Sequence, residues 1–430
     1  MITIAALHQR FQECSGACTD TRSIAPQSLF FALKGPHFNA NAFAAEALTQ
    51  GSRYAVVDDP AVALDERFLL VPDVLTAMQE LARYHRRTFS IPVIGITGTN
   101  GKTTTKELVH AVLSADRPTL ATNGNLNNHI GVPLTLLRLT AEHRIAIIEM
   151  GANKVGDIAE LVAIAEPTHG LITNVGRAHL EGFGSYEGVV KAKTEMYDFL
   201  GGHGGTLFVN SDDEVLMAKS EGMTRVTYGT DEGNYTQGNA IADAGPFMEL
   251  VFEDHRFHGH YHISTKLIGN YNAPNALAAV CLGQFFGVEE DTIAGALTAY
   301  TPSNNRSQFT DTGRNQLVLD AYNANPTSMA AALSNFAAMT TDRPKLAILG
   351  DMLELGADSR TEHDAIVGLV NELNIDARFV GPEFQRSTSV RSHPNAAALL
   401  EFLKNEPLTG HLVLVKGSRG IKLETVVGAL

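Results

Sequence analysis

The sequence predicts an α/β protein of three domains, and three observations carry that prediction. The chain has 430 residues, too many for one ordinary core, so two or three domains are expected. Short apolar runs alternate with helical patterns along its length, which implies parallel or mostly parallel sheets. One of those runs ends in a Gly-rich turn that opens a helix, the setting of a phosphate-binding loop. The expected boundaries are a small N-terminal α/β domain over 1–88, a central α/β domain over 89–302 and a C-terminal α/β domain over 303–430. Apolar content of 44% and charged content of 19% describe a soluble globular chain. Its 33 basic and 47 acidic residues give a net charge of −14, which argues against nucleic acid as a partner. Local Lys and Arg can still bind a phosphorylated small substrate. Cys14, Cys18 and Cys281 are too few, and odd in number, for a disulfide framework. No basic-plus-apolar leader and no apolar run of about 18 residues is present. No membrane insertion is therefore expected, and the reading is of a cytoplasmic monomer.

In the first domain, Leu29-Phe30-Phe31-Ala32-Leu33 and Tyr54-Ala55-Val56-Val57 read as strands, with a helical pattern from Ala42 to Gln50 between them. Asp73 suits the N-cap of a helix over Val74 to Arg86. Asp20-Thr21-Arg22 and Lys34-Gly35 fall at element ends, where ligand groups gather, although surface turns and surface charge explain them equally well.

The central domain opens on the apolar run Ile91 to Ile96 and the loop Thr97-Gly98-Thr99-Asn100-Gly101-Lys102-Thr103-Thr104, followed by a helical pattern from Lys106 to Leu113. Glycines let backbone N–H groups curl around phosphate oxygens, and the helix N-terminus favours negative charge. Lys102 can reach β/γ-phosphates and the Thr103 hydroxyl can hold Mg²⁺. The loop is a tighter G-x-x-G-K-T than the common G-x-x-x-x-G-K-[ST], and it predicts a P-loop ATPase-like domain that binds a nucleoside triphosphate. Lys102 is expected at an exposed loop-helix junction.

Three further runs, Arg144 to Ile148, Gly170 to Val175 and Thr206 to Asn210, each deliver polar residues at their C-terminal ends, the ligand edge of an open α/β sheet. Glu149 and His179 are thereby candidate Mg²⁺ ligands or groups just behind them. A helix over Ser185 to Leu200 carries Val189, Ala192, Met196 and Phe199 as its apolar stripe, with Lys193 at the border, partly buried. Lys193 is either a lysine that keeps its charge in water or one whose pKa is low enough to react with CO₂. His255, His258, His260 and His262 cluster between strand-like segments typical of a hairpin, and no matching Cys or carboxylate spacing supports zinc. Asn272 and Asn275 open a long apolar helix, Ala276 to Phe286, that Gly287 can terminate. They are caps, or amides placed to read a base edge.

In the third domain Gln316 to Leu319 leads into Asp320-Ala321-Tyr322-Asn323-Ala324-Asn325-Pro326, Lys345 to Leu349 into Gly350-Asp351-Met352, and His411 to Val415 into Lys416-Gly417-Ser418-Arg419. This strand-helix alternation predicts a Rossmann-like domain without a phosphate loop of its own, which would close on the nucleotide of the central domain.

Together these stretches resemble the Mur ligases, ATP-dependent amide-forming enzymes of peptidoglycan precursor synthesis, over essentially the whole chain. Thr97 to Thr104 is similar to their ATP loop. Glu149-Met150-Gly151-Ala152, the segment from Ala178 to Ser185 and Ala192-Lys193-Thr194-Glu195 are similar to their metal and carbamate segments. The resemblance implies adenine contacts from Asn272 and Asn275, ATP contacts from Arg306 and Asp320, and one Mg²⁺ held by Thr103 and Glu149. It implies a second Mg²⁺ held by His179 and a carbamylated Lys193. The motifs around Glu149, Asp320, Leu349-Gly350-Asp351 and Lys416 are most similar to the member that uses UDP-N-acetylmuramoyl-tripeptide and D-alanyl-D-alanine, with Asp20, Thr21, Arg22, Lys34, Asn323 and Asn325 as the implied substrate residues. Two departures stand out. Tyr271 stands where the family often has His, and Asn39, Ala40 and Asn41 where it often has Asp-Gly-His. Another amide ligase of the same fold, or a protein that switches shape with ATP, are the alternative readings.

Overall fold

The computed structural model describes residues 1–178, 180–241, 246–253, 259–303, 306–388 and 391–430. Three main sheets succeed one another along the chain. The first has four parallel strands, Ala17–Cys18, Leu29–Phe31, Tyr54–Val57 and Phe68–Leu70, in that order across the sheet. The first run ends at Phe31, two residues before the sequence pattern does, because the chain turns into a short hairpin of Lys34–Gly35 and Phe38–Asn39. Asp73 caps the helix Val74–Arg87 as expected, accepting a hydrogen bond from Thr76 N at 2.7 Å. Such a cap contributes about 1 kcal/mol.

That helix also ties the first unit to the second. Leu7, Met78 and Leu81 share one apolar core with Val93, Ile148, Leu161 and Met196. The Arg86 guanidinium is buried there and donates to the carbonyls of Ala165 and Glu166.

The second sheet has nine strands. Val93–Thr97 lies between Ile145–Glu149 on one side and His169–Ile172 on the other, all parallel. Strand order reverses about Val93–Thr97, so its C-terminal end is the crevice where open α/β sheets bind ligands. Every residue of Val93–Thr97 is buried, which is why the run reads as continuously apolar rather than alternating. The helix after it begins at Lys102 itself and runs to Ser114. Phe247–Glu253 and His260–Ile268 form the antiparallel hairpin expected around the histidines. His255 and His258 lie outside the described residues. His262 pairs with Glu249 at 2.7 Å, and no metal-holding cluster occurs among the described residues.

The third sheet has six strands, parallel except where Gln308–Asp311 pairs with Gln316–Asp320. Its strand ends at Asp320 and Lys416 turn toward the central sheet. No helix among the described residues is long and apolar enough to cross a membrane.

Candidate active site

The loop after Thr97 is shaped by two glycines that no other residue replaces. Gly98 has φ 141°, and a Cβ there would sit 2.0 Å from Thr173 Oγ1. Gly101 has φ 79°, and its Cβ would meet Asn275 Oδ1 at 2.5 Å. Both positions are left-handed and crowded, so glycine answers a conformational and a steric need together. The loop lines one end of a cavity of about 1030 Å³, whose walls come from the central and the C-terminal sheets.

Of the residues the sequence singled out, the cavity wall includes Thr99, Asn100, Gly101, Lys102, Thr103, Thr104, Glu149, Asn272, Asn275, Arg306, Asp320 and Asn323. Residues from Thr99 to Lys416, 317 positions apart in the sequence, close into one pocket. Gly98 lies beneath the wall, its carbonyl turned to the Lys102 ammonium. His179 lies outside the described residues.

Lys102 corrects an expectation. Rather than standing exposed, it is partly buried, and its ammonium folds back to the carbonyls of Gly98 at 2.7 Å and Thr99 at 3.0 Å. Burial pushes its pKa down to about 8; Glu149 pulls it up and the Arg306 charge pushes it down. An ammonium held by two neutral carbonyls is ready to exchange them for anionic oxygens.

Glu149 is almost fully buried. Its Oε1 accepts from the Thr103 hydroxyl at 3.1 Å and from Asn127 Nδ2 at 2.8 Å. Its Oε2 is buried without a hydrogen-bond partner among the described residues. A buried carboxylate oxygen left orphaned beside a hydroxyl is the donor set a hard divalent cation takes, so these residues fit Mg²⁺.

Lys193 also departs from the sequence reading, being fully buried rather than at a border. It is not among the residues lining the cavity, and its side-chain nitrogen lies 5.4 Å from the centre of the Phe183 ring. Burial, and then the charge of Lys102, hold its pKa well below the usual lysine range, against the pull of Asp157 and Glu195. A depressed pKa raises the share of neutral amine, the form that can act as a nucleophile.

Asn272 and Asn275 do not cap their helix, Ala273–Phe285. Asn275 Nδ2 donates to Asn272 Oδ1 at 2.9 Å, and Asn272 Nδ2 to the Ile268 carbonyl at 2.9 Å. The pair is thus a fixed amide ladder at the cavity wall. Tyr271, where the sequence left the role open, places its hydroxyl 3.1 Å from Ser307 Oγ, beside Arg306. The Arg306 guanidinium lies over the Tyr322 ring at 3.6 Å from its centre. Asp320 is paired with Lys416 at 2.5 Å.

The expected substrate residues of the first unit are not brought to this cavity. Asp20 is paired with exposed Arg22 at 2.6 Å and caps the turn Thr21–Ser23, while Lys34 pairs with Asp58 at 2.8 Å. Asn325 is not on the wall either, since its carboxamide is used inside the protein. Sequence reasoning missed the Asn-rich loop after Thr119–Ala121. Asn127, Asn128 and His129 line the cavity, and Asn127 holds Glu149. The available signal was four Asn within six residues, from Asn123 to Asn128, at a strand C-terminal end.

The Mur ligase middle domain matches over residues 96–283, and the Mur ligase glutamate ligase domain over residues 305–419. A relative from Escherichia coli (strain K12), named UDP-N-acetylmuramoyl-tripeptide–D-alanyl-D-alanine ligase, is 37% identical and aligns with 96% of this chain and 92% of its own. One of the same name from Bacillus subtilis (strain 168) is 34% identical over the same shares. A crystal structure of MurF from Acinetobacter baumannii superposes with a TM-score of 0.86 at 31% identity, covering 99% of this chain and 98% of that one. MurF ligase from Thermotoga maritima in complex with ADP gives 0.84 at 26% identity, covering 96% of each.

Proposed function

The chain belongs to the Mur ligase family, and from that premise we infer that it is an ATP-dependent ligase joining D-alanyl-D-alanine to UDP-N-acetylmuramoyl-tripeptide in peptidoglycan precursor synthesis. The observation that carries the reading is the single cavity in which the phosphate loop and Glu149 face Arg306, Asp320 and Asn323 across the two sheets. A reaction on ATP and a UDP-sugar belongs in the cytoplasm, where both are made.

A carboxylate and an amine do not condense in water, because the leaving oxygen is poor. Transfer of the γ-phosphoryl group of ATP to the acceptor carboxylate gives an acyl phosphate; the dipeptide amine then attacks it and phosphate leaves. The first step brings two anions together. The loop N–H groups and Lys102 would hold the β/γ-phosphates, and Arg306, oriented on Tyr322, would stabilise the charge that spreads over the moving phosphoryl group. The Asn272–Asn275 ladder would take the adenine edge, and Asp320 the ribose side. Thr103 and Glu149 would hold Mg²⁺, which when bound neutralises phosphate charge. Lys193, carbamylated, would supply with His179 the oxygen and nitrogen donors of a second Mg²⁺ site. Asn323 is exposed at the far wall, and its amide would meet the dipeptide. The first unit, with Asp20, Thr21, Arg22 and Lys34, would receive the UDP-sugar.

Phosphate release with each reactant omitted in turn tests this reading. Release should require both the acceptor and the amine, whereas an ATP-driven switch would release phosphate without regard to the amine.

The depressed pKa of Lys102 adds a pH prediction. The ammonium is the form that binds phosphate, and bound phosphate raises its pKa again. ATP affinity is therefore retained below about pH 8 and lost above it, about tenfold weaker at pH 9 than at pH 7, with proton uptake on binding. Titration calorimetry in buffers of different ionisation enthalpy reads both. A flat affinity over that range would contradict the role given to Lys102.

A further inference from the structure

We infer that Asn100 and Asn325 form a latch that holds the third unit closed over the phosphate loop, making Asn325 a positioning residue; this rests on the ligase reading above. The two junctions of the central unit differ in kind. The first unit shares a continuous apolar core with it. The third unit touches it through an apolar contact at one end, where Phe247 and Phe309 pack edge-on at 5.6 Å and Ile268 enters the third unit's core. At the cavity the contacts are polar. Asn325 Nδ2 donates to Asn100 Oδ1 at 2.7 Å across 225 residues. Arg177 and Glu362 approach to 3.6 Å, but Arg177 is 64% exposed, and such a pair contributes little. Polar junctions of this kind open and close by default.

Both partners are held ready for the bond. The Asn100 backbone is fixed by its neighbours: its N–H donates to Asn174 Oδ1 at 3.0 Å, and its carbonyl accepts from Thr173 Oγ1 at 2.6 Å and Asn174 Nδ2 at 3.0 Å. Its side chain is what remains to meet the third unit. Asn325 is set by a capping box on the helix Pro326–Ala338, its Oδ1 accepting from Ser328 N at 2.9 Å and its N–H donating to Ser328 Oγ at 3.1 Å. A bond between two groups already oriented forms with little further loss of freedom. The same loop that would hold the triphosphate thus holds the unit that presents Asp320, Tyr322 and Asn323. Asn325 is off the cavity wall, so it acts on the reaction through this bond and not by touching the dipeptide.

Asn325→Ser keeps a capping acceptor but is too short to reach Asn100. Asn100→Ala removes the acceptor without removing any of the loop's backbone hydrogen bonds. In the full chain with saturating ATP, acceptor and dipeptide, each variant is expected to lower kcat about fivefold, and the double variant also about fivefold rather than the ~25-fold of independent effects. Small-angle X-ray scattering with ATP bound should show the same rise in radius of gyration in all three, with thermal midpoints close to that of the unaltered chain. Multiplying losses of kcat, or unchanged scattering, would overturn the latch. Absence of ligase activity in the unaltered chain would instead overturn the functional reading, and scattering would still decide the latch.

Discussion

Lys102→Ala is expected to lower ATP-dependent turnover on the order of 10³-fold, with the fold intact. Among the described residues, the lysine's hydrogen bonds are to the carbonyls of Gly98 and Thr99 in its own loop. Their loss should destabilise the protein by about 1 kcal/mol, because water can reach a partly buried loop. The loss in the reaction is larger, since no other group of the loop carries a full positive charge. Residual activity near that of the unaltered chain, in a variant with a normal melting curve, would remove Lys102 from the mechanism.

The second large effect concerns Lys193. In its neutral form the buried amine, whose pKa burial holds well below the usual lysine range, can attack CO₂, forming an N–C bond and releasing one proton, and the product is an anionic oxygen donor. Stripping CO₂ should lower activity severalfold and bicarbonate should restore it, most visibly at mildly acid pH, where carbamates fall apart. Lys193→Ala should lose activity on the order of 10³-fold, and a small added carboxylic acid should partly replace the missing ligand. Insensitivity to CO₂, or a nucleotide-bound crystal structure showing a bare ammonium far from any metal, would contradict the carbamate.

The comparison of sequence with structure divides along the range of the interactions involved. The phosphate loop and the strand ends at Glu149 and Asp320 were legible because local pattern places them. A buried strand, a glycine turn and a helix start leave consecutive marks. The burial of Lys193 was underestimated because helical periodicity reports one stripe, whereas Phe183, from a separate segment, closes over its border. Lys102 read as exposed because a sequence does not show where an ammonium without a ligand turns. Asn325 read as a substrate residue from its motif, but its partner lies 225 residues away, and nothing local marks such a bond. In the first unit, Asp20 and Lys34 find partners in Arg22 and Asp58, as the plainer account of surface charge allowed. Asn127 left no periodic signal at all. Its one local mark is the cluster of Asn at a strand end, and its bond to Glu149 Oε1 joins positions 22 residues apart.

The central claim is the identity of the bond formed, and the choice of amine tests it most directly. With ATP, Mg²⁺ and UDP-N-acetylmuramoyl-tripeptide supplied, D-alanyl-D-alanine is compared with single amino acids and with glutamate. A pocket built for a dipeptide leaves polar groups unpaired when a single amino acid enters, so the shorter amines should react poorly. The account predicts fast phosphate release with the dipeptide alone, and a product heavier than the acceptor by one D-alanyl-D-alanine less one water, that is, by two alanine residues. Equal rates with L-lysine or glutamate, or a product lacking that mass, would contradict it.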